Sequence, residues 1–178
     1  MLIRELSRQE SLDLAARSHL GRLACARGTM PYIVPLYFAY DDEYLYFFGT
    51  FGQKIEWMRG NPNVCVEVDE VVNPQQWVSV VIFGQFEEMP DLPEWHGKRE
   101  HARKRLLERN AIWWEPAYAR TIVGGTERQL APCFYRIHIT QITGHRATPE
   151  HVTPAGIGPS RTAPTDGGWL QKIMRQVR

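Results

Sequence analysis

The sequence predicts a mainly β protein, built as an antiparallel barrel or sandwich with short helices at its periphery. Six β-rich runs follow one another along the chain, and only short helical segments separate them. The run 134–143 alternates apolar and polar residues with a period of two, which is typical of a strand with one buried face. A doubly wound parallel sheet would show a helix after nearly every strand, so this pattern argues against that fold.

The N-terminal segment predicts one helix and a first strand. Ser7 followed by Glu10 is a capping-box pattern, in which each side chain accepts a hydrogen bond from the backbone of the other residue. The helix that follows is expected to stop at 18–21. The short apolar run 22–26 is predicted as a strand, and the glycine and proline of 28–31 predict a turn.

The next segment predicts a hairpin followed by a short helix. The runs 32–40 and 44–48 are rich in aromatic and β-branched residues, and three acidic residues at 41–43 join them. A helix is predicted at 53–59 because two apolar residues three positions apart lie on one helix face. The Gly-Asn-Pro sequence at 60–62 ends this helix.

Three more strands and one more helix complete the predicted elements. The strands are expected at 64–68, 77–86 and 134–143, with a loop at 73–76 between the first two. Residues 94–111 are strongly charged and favour a helix that faces outward.

The chain is expected to form one domain at 1–147 followed by a Pro/Gly-rich C-terminal tail at 148–178. A length of 178 residues fits a single domain with its own hydrophobic core. The tail is interpreted as loose or wrapped on a partner surface. Its last stretch, 169–178, is basic and amphipathic.

Composition and charge exclude several function classes. The net charge is +1, so a basic nucleic-acid binder is not favoured. No apolar run approaches the roughly 20 residues that a membrane span needs. The first 12 residues carry four charges where a signal peptide would be apolar. We therefore expect a cytoplasmic protein that binds neither nucleic acid nor membrane.

The usual signatures of a catalytic triad or a metal site are missing from the sequence. Ser79 lies within a predicted strand and lacks the G-x-S-x-G elbow. His96 and His101 are five positions apart, which does not match the i, i+4 spacing of H-E-x-x-H. The three cysteines stand far apart among apolar neighbours, so we interpret them as reduced thiols: Cys25, Cys65 and Cys133. No metal ligand is predicted, and no side chain is assigned as a catalytic acid or base.

The segment 49–54 has features of an anion-binding loop. Its glycines allow a tight turn and a close approach of the backbone to a ligand. The helix that follows offers free N–H groups and the positive end of its dipole. Lys54 falls in the first turn, where a cation is unfavourable unless an anion lies beside it. A phosphate site is therefore one interpretation and an ordinary capping loop is the other; the Walker A spacing is absent.

The order and spacing of several segments resemble the flavin-binding split barrels related to pyridoxamine 5'-phosphate oxidase. The nearest branch is that of the nitroimidazole-resistance (Nim) type flavoproteins. The resemblance covers residues 5–145 and depends on these segments: 20–24, 31–38, 45–49, 52–54, 61–64, 77–80 and Gly84. It implies a six-stranded antiparallel split β-barrel with short peripheral helices.

The resemblance also implies FMN as cofactor and a homodimer with FMN at the subunit interface. Lys54, with the backbone or hydroxyl of Thr50, would hold the FMN phosphate. Ser79, on the strand that begins at Trp77, would stand near the phosphate or the ring. Six further residues from two strands would line the flavin: Val34, Pro35 and Leu36 along the isoalloxazine, and Phe47, Phe48 and Gly49 along the ribityl chain.

Other interpretations of these residues stay open at this point. Val34 and Leu36 are also typical of plain strand core, and Trp77 of a packing anchor. Trp113 and Trp114 are interpreted either as a cover for the flavin or as packing at the interface. Nim relatives usually carry a histidine where this chain has a phenylalanine at position 48, so that histidine's role is not carried over.

The function implied by the resemblance is that of an oxidoreductase. Electrons would pass from a nicotinamide cofactor through FMN to a small organic acceptor. The first alternative is a non-catalytic flavin-binding or flavin-sensing module. The second is a haem-handling split barrel, for which His138 or His145 would serve as axial ligand. A deazaflavin in place of FMN is a further variant that the sequence leaves open.

Overall fold

The computed structural model describes residues 1–110, 121–123, 125–128 and 133–150. Strands dominate this part of the chain, as predicted, and the helices are short. In chain order the elements are β1 (Leu2–Glu5), α1 (Arg8–Arg17), β2 (Leu20–Arg27), β3 (Met30–Tyr37), β4 (Ala39–Asp41), β5 (Tyr44–Gly49), α2 (Gln53–Gly60), β6 (Asn63–Asn73), β7 (Gln76–Met89), a 3₁₀ turn (Pro93–Trp95), α3 (His96–Asn110), β8 (Thr121–Val123), β9 (Thr126–Arg128) and β10 (Cys133–Thr148).

Eight of the strands form one antiparallel sheet. Their order is β3-β2-β6-β7-β10-β5-β4, and β1 also pairs with β10. Strands β8 and β9 form a separate hairpin. The two edge strands β3 and β4 are joined by the single residue Phe38, so the sheet must curl until its ends lie close together. Within the described residues β3 pairs with β2 alone, so the barrel remains split along that edge. The mainly β, antiparallel split-barrel prediction is confirmed.

The six predicted strands are all present, but the number of strands was underestimated. The run 32–40 is two strands: β3 pairs with β2, and only β4 forms the predicted hairpin with β5. The break falls at Phe38, whose buried side chain enters the barrel core while the chain passes from one edge of the sheet to the other. The short strands β1, β8 and β9 are too brief to show a period in the sequence.

The observed ends of the strands differ from the predicted ones where pairing with another strand lengthens an element. The segment 18–21 was expected to separate the first helix from the first strand, yet Leu20 and Gly21 belong to β2 because they pair with β3. The predicted alternation of β10 is interrupted by a bulge between Ile139 and Gln141. A bulge increases the local bend of a strand, which suits a sheet that closes into a barrel.

The capping and turn predictions are confirmed in detail. Ser7 caps α1: its hydroxyl accepts from the Glu10 N–H at 3.2 Å, and its own N–H donates to the Glu10 carboxylate at 2.9 Å. The hairpin turn has positive φ at both central residues, 45° at Asp42 and 65° at Glu43. Two such angles define a type I′ turn, which matches the twist of the flanking strands.

The barrel encloses the main hydrophobic core. Phe47 and Tyr135 stack at its centre with ring centroids 5.3 Å apart, and both are fully buried. A smaller cluster lies under α3, where Ala102 and Leu106 pack against Phe134 and its neighbours. The predicted outward helix at 94–111 therefore buries one of its faces.

Within the described residues no helix is long and apolar enough to cross a membrane. The C-terminal tail predicted at 148–178 begins inside the structure, since Thr148 ends β10. Its part from 151 onward, including the basic stretch 169–178, lies outside the described residues. Trp113 and Trp114 also lie outside them.

Candidate functional site

Lys54 is a half-buried cation that lacks a counter-ion in the described part of the chain. It lies in the first turn of α2, where its ammonium meets the positive end of the helix dipole. Among the described residues it makes no hydrogen bond and no ion pair. Burial lowers the pKa of Lys54, and the nearby Cys25 thiol opposes that shift only in part. The structure therefore holds a positive charge in an unfavourable place.

Gly49, at the end of β5, lies beside the side chain of Lys54. A Cβ atom added to Gly49 would lie 3.9 Å from Nζ of Lys54 and 3.8 Å from its Cε. The helix begins at Gly52, which supplies no side-chain cap; its carbonyl accepts from Ile55 and Glu56. The first N–H groups of a helix have no partner within it, so this end is open to an anion. Gly49 and Lys54 thus lie in contact, while the role of Thr50 and the phosphate itself stay predictions.

Strand β10 forms the wall behind this site. Cys133 is paired with Gly49, and the Tyr135 ring would lie 3.6 Å from a Cβ at Gly49. Burial, with the neighbouring Cys133 thiol, raises the pKa of Tyr135, so its hydroxyl stays neutral. Neither Cys133 nor Tyr135 was predicted at this site, because no local pattern indicates that β10 pairs with β5.

The residues predicted to line the flavin divide by side-chain direction. Leu36 is buried and Val34 is half-buried against the core, whereas Pro35 faces outward. Phe47 is stacked on Tyr135, and Phe48 meets Phe134 with ring centroids 5.4 Å apart. The four inward side chains are thus occupied by protein contacts: Val34, Leu36, Phe47 and Phe48. What these strands can present to a ligand is mainly their backbone.

Ser79 and Trp77 are not brought to Lys54 within one chain. The Ser79 hydroxyl donates to Glu67 at 3.1 Å, and Arg22 pairs with the same carboxylate at 3.1 Å. The contact given for Ser79 is thus with strand β6 and not with Lys54. Trp77 is half-buried on β7 and lines a cleft of about 150 Å³ near the β6–β7 turn.

An apolar row crosses the outside of the barrel on four strands. Ile33, Ala24, Cys65 and Phe83 are neighbours in register on β3, β2, β6 and β7. Ile33 is 65% exposed and Phe83 is 42% exposed. An open groove of about 290 Å³ runs beside Ala24, Cys65 and Phe83. We call these four residues the outer apolar face; contiguous exposed apolar residues mark interaction surfaces.

A second exposed aromatic residue stands next to the Lys54 site. Phe51 is 56% exposed in the loop between β5 and α2. The Arg59 guanidinium lies 4.7 Å from the centroid of its ring. Arg59 is held by Glu88 through two hydrogen bonds, one of them 2.9 Å between Nη2 and Oε2. A phenylalanine inside a glycine-rich loop is the one feature of the sequence that indicates this pair. Phe51 was not among the predicted site residues.

Within the described residues no group of three or more His, Cys, Asp or Glu side chains is placed to hold a metal ion. His101 bonds Asp41 at 2.7 Å, and the His138 ring packs 5.0 Å from that of Tyr44. None of the three cysteines forms a disulfide within the described residues. Cys25 is buried, as expected, while Cys65 and Cys133 are half-buried.

Comparisons with known proteins agree with this architecture. The model of a family described as pyridoxamine 5'-phosphate oxidase matches residues 7–146. An uncharacterised protein of Rhizobium meliloti is 38% identical over 147 residues, which cover 83% of this chain and 97% of that protein.

Two solved structures extend the comparison. An FAD-binding protein of Mesorhizobium loti is 42% identical, with a TM-score of 0.67, over 84% of this chain and 99% of that one. A protein of Bacteroides thetaiotaomicron, named for 5-nitroimidazole antibiotic resistance, is 17% identical, with a TM-score of 0.58, over 82% of this chain and 89% of that one. At that identity the second likeness concerns the fold alone.

Proposed function

The chain belongs to the pyridoxamine 5'-phosphate oxidase family, and from that premise we propose that it is a flavoprotein oxidoreductase whose flavin phosphate lies at Lys54. The observation that carries the proposal is the half-buried ammonium of Lys54, which has no counter-ion among the described residues. FMN, the cofactor implied by the resemblance, is the smallest flavin that offers a phosphate to this position.

A phosphate would relieve the electrostatic cost of the site. The ammonium and the start of α2 both favour an anion, and charged hydrogen bonds to phosphate are stronger than neutral ones. The space over Gly49 keeps the route to Lys54 free of a side chain. The donors at this end of the barrel therefore fit a phosphate group.

The open edge of β3 is where we propose that the isoalloxazine lies. Pro35 faces outward there, and backbone groups of an edge strand are available to the polar rim of a flavin ring. The 42% identical protein of Mesorhizobium loti, which is described as FAD-binding, supports a flavin rather than a haem in this branch.

We propose that two copies of the chain pair and hold the flavin at their interface. The outer apolar face leaves Ile33 and Phe83 exposed on β3 and β7, at the two ends of the row, which suits a second copy better than water. Ser79 and Trp77, remote from Lys54 in one chain, would meet a flavin only across such an interface.

The proposed reaction uses NADH or NADPH as reductant and a small organic molecule as acceptor. A flavin supplies the hydride and one-electron chemistry, and the protein supplies binding, orientation and electrostatics. Cysteines that form no disulfide among the described residues suit a reducing compartment, and we propose the cytoplasm.

The test begins with a visible spectrum of the purified protein and a flavin titration. We expect a retained flavin band, and Lys54→Met should weaken binding of FMN by about 10- to 150-fold, which corresponds to about 1.5–3 kcal/mol. Lys104→Met is the matched control, because it removes the same charge from an exposed position on α3.

Three results would contradict the proposal. Equal affinity of the wild type and Lys54→Met would remove Lys54 from the site, and a Soret band in place of a flavin band would favour haem. Retained flavin without any NADH or NADPH oxidation, over a panel of quinone and nitro acceptors, would favour a non-catalytic flavin-binding module.

A further inference from the structure

We propose that Phe51, oriented by Arg59, is a stacking platform for the adenine of FAD, so that this chain prefers the dinucleotide to FMN. The inference rests on the proposed function, because it takes the flavin phosphate to lie at Lys54. It adds a specificity element that lies outside the predicted FMN contacts.

The first argument is the exposure of Phe51. Phe51 is 56% exposed in its loop, so a large part of its ring is in water and accessible to a ligand. The Arg59 guanidinium covers one face of this ring at 4.7 Å. The opposite face is therefore the part that solvent reaches, and it has the shape that a planar base needs.

The second argument is that Arg59 is fixed. Glu88 binds its guanidinium through both Nε and Nη2, so the charge is already neutralised and the plane is oriented. Arg59 thus serves to hold the Phe51 ring by a cation–π contact rather than to bind a phosphate. The pair joins the loop, the end of α2 and strand β7 into one ordered surface.

The third argument is position. Phe51 precedes Lys54 by three residues, so their Cα atoms are at most about 11 Å apart. FMN ends at its phosphate, whereas FAD continues through a second phosphate and a ribose to adenine. The start of α2, with no side-chain cap, lies between the two residues and is suited to the second phosphate. The adenine that follows the second phosphate would then reach the ring of Phe51.

The experiment compares FAD and FMN affinities for the whole chain by fluorescence titration. We expect the wild type to bind FAD more tightly than FMN by about 5- to 150-fold, the usual range for stacking of a base on an aromatic side chain. Phe51→Ala should lose most of this preference while its FMN affinity changes by less than about twofold. Phe51→Trp should keep the preference.

Leu92→Ala is the matched control, because Leu92 is also an exposed apolar residue, 46% exposed in the loop between β7 and the 3₁₀ turn. Equal affinities of the wild type for FAD and FMN would overturn the inference, as would an equal loss of both flavins in Phe51→Ala; the proposed function would survive either result. Failure of the wild type to bind any flavin would instead overturn the proposed function itself.

Discussion

At the scale of single residues, the position of Lys54 is expected to lower the stability of the flavin-free protein. A cation at a helix start, half-buried and without a carboxylate among the described residues, is held at a cost to folding, and burial lowers the pKa of Lys54. Gly49 increases access to that charge, since its missing side chain leaves the ammonium open. The same features that destabilise the empty site favour a bound phosphate.

The pH dependence of stability should report this cost directly. The pKa of Lys54 is lowered in the folded state, so the unfolded chain binds more protons in the range between that lowered value and 10.5. The destabilisation is fully present below the folded pKa and is relieved as the pH rises through it. Lys54→Met should therefore be more stable than the flavin-free wild type at pH 7, with an advantage that shrinks toward pH 10.5.

Urea unfolding of the two flavin-free proteins, measured at intervals from pH 7 to 10, checks this expectation. Tyr135 is common to both proteins and cancels in the difference. The Cys25 thiol interacts with Lys54, so Cys25→Ala is introduced into both proteins to remove its titration. Parallel stability curves over the whole range would show that the charge on Lys54 costs nothing on folding.

At the scale of elements, the hairpin between β4 and β5 shows how a local turn and a long-range contact depend on each other. Glu43 adopts φ of 65°, which a side chain with a Cβ disfavours. Its carboxylate pairs with Arg8 of α1, and its carbonyl accepts from the Ile139 N–H at 2.8 Å. The turn is thus held by its neighbours in a conformation that glycine would adopt freely.

Substitution at Glu43 separates these effects. Glu43→Ala and Glu43→Gly both lose the ion pair with Arg8, but only the glycine relieves the positive φ. We expect Glu43→Gly to be more stable than Glu43→Ala by about 1 kcal/mol. Thermal and urea unfolding measure the difference, and equal stability of the two variants would mean that the turn carries no strain.

At the scale of the whole molecule, the barrel presents two different surfaces. One end holds Lys54, Gly49 and the exposed Phe51, and the side of the barrel carries the outer apolar face. A flavin at a two-fold interface would use both, because the first binds its phosphate and the second joins the subunits.

The oligomeric state tests the role of the outer apolar face. We expect the wild type to have twice the 20.6 kDa mass of one chain by light scattering after gel filtration. Phe83→Glu places a charge in the groove beside Cys65 and should yield a folded monomer. Leu92→Glu alters an exposed apolar residue in the loop after β7, outside the outer apolar face, and should remain dimeric. A wild-type monomer, or a dimer that survives Phe83→Glu, would place the interface on another surface.

The sequence alone was sufficient for those features whose cause is local. The capping box at Ser7, the helix that carries Lys54 and the acidic turn before β5 follow from neighbouring residues, and all three are present. The β-rich runs predicted an antiparallel, mainly β fold because period-two patterns report burial of one face. The family resemblance then supplied candidate roles, such as that of Ser79, which stay predictions.

Only the tertiary structure decided which strands pair and which residues lie in contact. The break at Phe38, the bulge in β10 and the pairing of Cys133 with Gly49 depend on strands far apart in the chain, and no local pattern encodes that partner choice. The same long-range pairing buries the side chains of Phe47 and Phe48 and leaves Lys54 without a described counter-ion. It also places Ser79 beside Glu67, away from Lys54. The loop and helix of the proposed phosphate site are thus encoded locally, whereas the surroundings of Lys54 depend on the closure of the barrel.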